Sequence, residues 1–212
     1  MNKNVLMLGS PFSSTWSMRA FFCAFPIIDE FDIIWKDFDS NSKLRDTSFC
    51  PTKQVPVLYL SHLDNPIVET FAIADVFSKV GGLEWPNNEV EEWYAKSICL
   101  EFQNQTSNLR SLIPLELRVG KEIVQNHNHL SEWHQKLENL LINKDNKFLF
   151  GKMSIVDAWF APLLCRFARV NYPTSTIVDD YFKRMKVTLA WERWVAEIGG
   201  LDVRYASENS FS

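Results

Sequence analysis

Ser13-Ser14-Thr15-Trp16-Ser17-Met18-Arg19 stands where a short apolar run, Asn4 to Leu8 (NVLML), gives way to a helical pattern. The run reads as a buried strand, and Ser10-Pro11-Phe12-Ser13 as its end. From Ser14 to Phe25 the pattern is helical, with Trp16, Phe22 and Phe25 among apolar neighbours, and Ser14 suits the N-cap or first turn. Hydroxyls at a helix N-terminus meet unpaired backbone N–H groups and the positive end of the dipole. The turn therefore either caps the helix or holds an anion such as a thiolate.

Outward from that turn, Phe31 to Phe38 predicts a second strand and Val55 to Leu60 a third, with one helical turn around Lys43 to Asp46 between them. Asp64-Asn65-Pro66 marks a turn, Ile67-Val68 a short fourth strand, and Glu69 to Val80 a helix stopped by Gly81-Gly82. The order β-α-β-(α)-β-β-α describes a small α/β domain with a mixed sheet over residues 1–80. Residues 81–87 form a linker. Residues 88–212 read as all-helical, with helices over Glu89 to about Leu112, Ser131 to Asn143, Ser154 to Val170, Asp179 to Met185 and Thr188 to Ile198.

The 212-residue composition, 46% hydrophobic and 23% charged, is that of a folded globule able to bury a substantial core. Lys and Arg number 22 against 26 Asp and Glu, a net charge of −4 shared by both halves (seven basic against nine acidic residues through position 80, 15 against 17 beyond). Such a balance carries no general attraction to nucleic acid or an anionic membrane. No apolar run approaches the roughly 20 residues of a membrane helix. Met1 to Gly9 is too short for a secretory signal, so the cytoplasm is the expected location. Cys23, Cys50, Cys99 and Cys165 have neither metal-ligand nor redox spacing and read as buried reduced thiols. His127, His129 and His134 do not share one helix face and read as a solvated loop and helix start rather than a metal site.

Two further features stand out. In Gln54-Val55-Pro56-Val57-Leu58 a proline interrupts an apparent strand, which fits either an edge strand or a cis X-Pro bond that turns the preceding backbone toward a ligand. In Glu69-Thr70 a carboxylate and a hydroxyl open a helix, where they either cap it or bind the amino and carboxylate ends of an amino-acid-like ligand.

The serine-rich turn, V-P-V-L about 40 residues later and Glu-Thr-x-Ala-Ile about 13 residues beyond that together resemble the N-terminal domain of the glutathione S-transferase superfamily. Ser154-Ile155-Val156-Asp157-Ala158 resembles the superfamily's capping motif in its helical domain. SSTWSMR, with Ser107-Asn108-Leu109-Arg110-Ser111-Leu112-Ile113-Pro114 and Phe148-Leu149-Phe150-Gly151, resembles a bacterial serine-type branch with an SSWS-x-R segment. The resemblance implies a thioredoxin-like α/β domain that binds glutathione, followed by an all-α domain that supplies the electrophile pocket.

By this resemblance Ser14, five residues before Arg19, hydrogen-bonds the glutathione sulfur and favours its thiolate. Ser13, Thr15 and Ser17 carry rival hydroxyls, and Arg19 supports the turn or adds positive potential. Val55 offers its backbone N–H and C=O to the cysteinyl part, positioned by a cis Pro56. Gln54 reaches the glycine end, where many relatives carry Lys, and Glu69 and Thr70 hold the γ-glutamyl end. Pro11, Phe12, Leu109, Leu112 and Ile113 are the candidates for an apolar electrophile pocket, with Arg110 and Arg118 available to an acidic substrate. The implied activity is glutathione conjugation of a small hydrophobic electrophile by a cytosolic homodimer, with glutathione as co-substrate and no metal. Two alternatives are a maleylacetoacetate isomerase-like cis–trans isomerase, whose class carries Cys where Trp16 stands, and a non-catalytic binding module. A cysteine-type enzyme is set aside because Cys23 lies over two helical turns from Ser14.

Overall fold

The structure, a computed structural model, describes residues 4–36, 48, 52–115, 117, 128–142 and 147–198; the expected turn at Lys43 to Asp46, and Cys50, Arg118 and His127, lie outside them. The chain divides into two compact units, Met1–Glu84 and Trp85–Ser212.

In the first unit the strands are β1 (Val5–Gly9), β2 (Asp32–Lys36), β3 (Val57–Tyr59) and β4 (Ile67–Val68), and the helices are α1 (Thr15–Ala24) and α2 (Thr70–Val80). The sheet order is β2-β1-β3-β4. β1 runs parallel to β2, with Leu6 opposite Ile33, and antiparallel to β3, with Leu6 opposite Leu58. Every residue of β1 is buried, as its unbroken apolar run requires of a central strand. Phe21 of α1 stacks on Trp35 of β2, and Phe31 meets Phe77 of α2 edge to face. Gly81 ends α2 at φ 102, a left-handed cap that glycine adopts without a Cβ penalty.

The described elements of the second unit are helices: α3 (Glu89–Gln105), α4 (Ser107–Leu112), α5 (Asn128–Leu141), α6 (Ile155–Arg169), α7 (Thr176–Lys186) and α8 (Leu189–Glu197). The single helix expected from Glu89 to Leu112 is two. Thr106 lies between them, its hydroxyl donating to the Phe102 carbonyl at 2.5 Å, a local bond that competes with the helical ladder. α6 is buried along its whole length, so it forms the axis of the helical core. Phe102 packs between Trp133 and Phe160, and Trp159 Nε1 donates to the Cys99 carbonyl, which ties α3, α5 and α6 together.

The predicted Ser154–Asp157 capping box starts α6. Asp157 Oδ2 accepts from the Ser154 N–H and hydroxyl at 2.8 and 2.9 Å, and Oδ1 accepts from the Leu149 N–H at 3.1 Å and the Tyr181 hydroxyl at 2.8 Å. Burial pushes the Asp157 carboxyl above the ordinary carboxylate range, opposed by these four donors.

Candidate functional site

The junction of β1 and α1 places the serine-rich turn. Ser14 is the N-cap of α1, with φ −87 and ψ 99, and its Oγ accepts from the Ser17 N–H at 3.3 Å. Its own hydroxyl lies 2.9 Å from Ser17 Oγ, which also accepts the Gly9 N–H at 2.8 Å. Ser17 is fully buried, while Ser14 retains 7% exposure. Thr15 is buried as well. Arg19 points back along the first turn, its guanidinium carbon 4.6 Å from the centre of the Trp16 ring.

The junctions before β3 and after β4 build the rest. Val55-Pro56 is a cis peptide, and β3 begins immediately after it at Val57. Because β3 lies between β1 and β4, the edge-strand explanation for Pro56 does not hold, and the cis alternative does. Among the described residues neither the N–H nor the C=O of Val55 has a backbone partner. At the other junction Glu69 is the N-cap of α2 at φ 69 and ψ 121, and its exposed side chain makes no capping bond. A glutamate held at positive φ, with nothing gained for the helix, marks a position chosen for something other than local stability. Thr70 beside it is buried, in the first turn of α2.

These junctions converge on one cleft of about 240 Å³ lined by Trp16, Thr52, Gln54, Val55, Pro56, Glu69 and Thr70. It gathers the five residues expected to hold the peptide part of glutathione, Gln54, Val55, Pro56, Glu69 and Thr70. Ser14 is not in its wall but precedes the wall residue Trp16 by two positions. Trp16 and Thr52 are cleft residues that sequence reasoning leaves out. Trp16 reads there as one more aromatic of an apolar helix, and Thr52 carries no signal beyond its place two residues before Gln54. The cleft offers a carboxylate, hydroxyl and amide groups, unpaired backbone at Val55 and the positive end of α2, a set suited to a zwitterionic peptide.

The expected pocket residues fall in both units. Pro11 and Phe12 precede Ser14 and are partly buried. In the second unit Leu109 and Ile113 are buried while Leu112 is 59% exposed. Arg110 is partly buried and donates to the Gln103 carbonyl and the Thr106 hydroxyl; burial lowers its pKa. Arg166 is fully buried, donates to the Ile113 and Pro162 carbonyls, and is brought down to about 10 by burial and by Arg110 and Arg169 nearby. Cys23, Cys99 and Cys165 are buried, and burial raises Cys23 and holds Cys165 at about 12 despite Arg166. His134 lies within α5, as expected of the helix from Ser131, and its Nε2 accepts the N–H of Ser175, the N-cap of α7. Among the described residues no group of three or more His, Cys, Asp or Glu could hold a metal ion, and no helix is long and apolar enough to cross a membrane.

Neither a protein-family model nor a curated protein matches the sequence. Solved structures do match its fold. A glutathione transferase homologue from Burkholderia gl BGR1, solved with bound glutathione, superimposes with a TM-score of 0.71 at 19% identity, covering 92% of this chain and 97% of that one. Glutathione S-transferase isozyme E7 of Drosophila melanogaster gives 0.70 at 17% identity over 99% and 98% of the two chains. The glutathione S-transferase of Xylella fastidiosa gives 0.65 at 16% identity over 92% and 98%. The chain therefore has the glutathione transferase fold, an α/β thioredoxin-like unit followed by a helical one.

Proposed function

We propose that the protein is a cytosolic, serine-type glutathione transferase that adds the glutathione thiolate to a small hydrophobic electrophile. The observation that carries the reading is the single cleft that joins Gln54, Val55, Pro56, Glu69 and Thr70 beside the Ser14 turn. In it the backbone of Val55 pairs with the cysteinyl residue. Glu69 takes the γ-glutamyl ammonium, Thr70 and the N-terminus of α2 take its carboxylate, and Gln54 reaches the glycine end. Ser14 then donates to the sulfur. One charge-assisted hydrogen bond of about 1.5–3 kcal/mol lowers the thiol pKa by about 1–2 units, enough to convert a mostly protonated thiol into a mostly ionised one near neutrality. Ser17 is fully buried with its Oγ taken by the Gly9 N–H, which leaves Ser14 better placed than Ser17 to meet the sulfur. Trp16 in the cleft wall, where the isomerase class carries Cys, favours transferase over isomerase.

Calorimetry with glutathione tests binding, and turnover of a generic aromatic halide tests chemistry. Ser14→Ala is expected to lower turnover tenfold or more by raising the thiol pKa of the complex. A variant whose thiolate absorbance titrates as in the wild type removes Ser14 from this role. The same reading makes the protein a homodimer, supported by Val90 and Trp93, 66% and 61% exposed on α3. Light scattering that finds only monomer at micromolar concentration rejects the dimer.

A further inference from the structure

We propose that Ser17 is a positioning residue whose hydroxyl donates to Ser14, freeing the Ser14 proton for the glutathione sulfur; the inference rests on the transferase reading above. Ser17 Oγ is fully buried, so water does not serve it. The Gly9 N–H fills one of its lone pairs, and Ser14 Oγ lies 2.9 Å away, a contact that either hydroxyl can donate. Were Ser14 the donor, both lone pairs of Ser17 would be filled and, among the described residues, its own proton would have no acceptor, a costly state for a buried hydroxyl.

With Ser17 as the donor of the 2.9 Å contact every group is served without moving any heavy atom, and the Ser14 O–H is free to turn to an anionic sulfur. Ser14 Oγ then accepts from both the N–H and the O–H of Ser17, the first of these at 3.3 Å. Every donor and acceptor in the chain from Gly9 to Ser17 to Ser14 to sulfur is matched, and a hydroxyl that accepts twice is a stronger donor. No covalent bond changes. Ser17 never touches the substrate, and it sets the direction of the one proton that does.

The test is the pH titration of thiolate absorbance for glutathione bound to the wild type, Ser14→Ala, Ser17→Ala and the double variant. Ser17→Ala is expected to leave roughly three- to tenfold less thiolate at neutral pH, the effect of one ordinary hydrogen bond. On the Ser14→Ala background it is expected to add nothing, because Ser17 acts only through Ser14. Ser17→Thr, which keeps the hydroxyl, is expected to restore the titration. Should Ser17→Ala fail to fold for want of an acceptor for Gly9, Ser17→Cys replaces it, and its weaker donor is expected to shift the titration the same way. An unshifted titration in a folded Ser17 variant, where Ser14→Ala does shift it, overturns the relay alone, as does an equal shift in both backgrounds. A wild type that takes up no glutathione overturns the transferase reading and the relay with it.

Discussion

Replacing Glu69 by glycine separates what this residue does for the fold from what it does for a ligand. At φ 69 and ψ 121 its Cβ is held where ordinary side chains rarely go, at a cost of roughly 1–3 kcal/mol. The side chain offsets none of this, since it is exposed and does not cap α2. Glycine removes the conflict but gives the unfolded chain more freedom, which opposes folding by about 0.5–1 kcal/mol. Glu69→Gly is therefore expected to raise the stability of the free protein by up to about 2 kcal/mol. The same change deletes the carboxylate that meets the γ-glutamyl ammonium. A hydrogen bond between charged groups is worth about 1.5–3 kcal/mol, so glutathione should bind roughly 10- to 150-fold more weakly. Urea unfolding and calorimetry measure the two effects on one preparation. Glu69→Gln is the control, because it keeps the Cβ and the strain; its unfolding midpoint should match the wild type while its binding weakens. A glycine variant that unfolds at lower urea, or that binds glutathione as tightly as the wild type, refutes the reasoning.

Other substitutions probe the scaffold. Asp157→Ala strands four buried donors, from Leu149, Ser154 twice and Tyr181, and is expected to cost about 3–5 kcal/mol in urea unfolding. Its pH dependence has a definite sign. Because burial raises the Asp157 carboxyl, the folded chain keeps a proton that the unfolded chain releases at about pH 4, so wild-type stability falls as pH rises from there through the raised value. The alanine variant lacks that slope, and a wild-type advantage that grows with pH across this window contradicts the assignment. Gly82→Ala would bring a Cβ to 2.5 Å from the Cys23 carbonyl oxygen and 2.7 Å from Phe77 Cβ, whereas at Gly81 the nearest atom is Ile27 Cγ2 at 3.2 Å. Thermal unfolding should show the larger loss at Gly82, about 2–3 kcal/mol from overpacking, despite the left-handed φ at Gly81.

Much of the fold is legible in the sequence because its signals are local. The apolar run of β1, the glycine stop after α2 and the Ser154–Asp157 box all declare themselves within a few residues. The break at Thr106 is not legible. Threonine is no helix breaker by type, and the interruption comes with a hydroxyl that turns back onto Phe102. The bond of His134 escapes a sequence reading for a similar reason, since its partner, the Ser175 N–H, lies 41 residues away.

The candidate site divides along the same line, and the division has a cause. Pro56 breaks the preference of the strand it precedes and stands out from the amino-acid order alone, while Glu69 departs from its preference only in its positive φ, which the order of residues does not show. Trp16 and Ser17 obey theirs: an aromatic and a buried serine are unremarkable in the first turns of an apolar helix. What distinguishes them is set by the N-cap at Ser14. Three residues along the helix bring the Ser17 hydroxyl back to Ser14, and β1 supplies the Gly9 N–H on its other side. A residue that acts through another's hydrogen bond leaves no violated rule in the sequence. Its role emerges only once the bonds around it are counted.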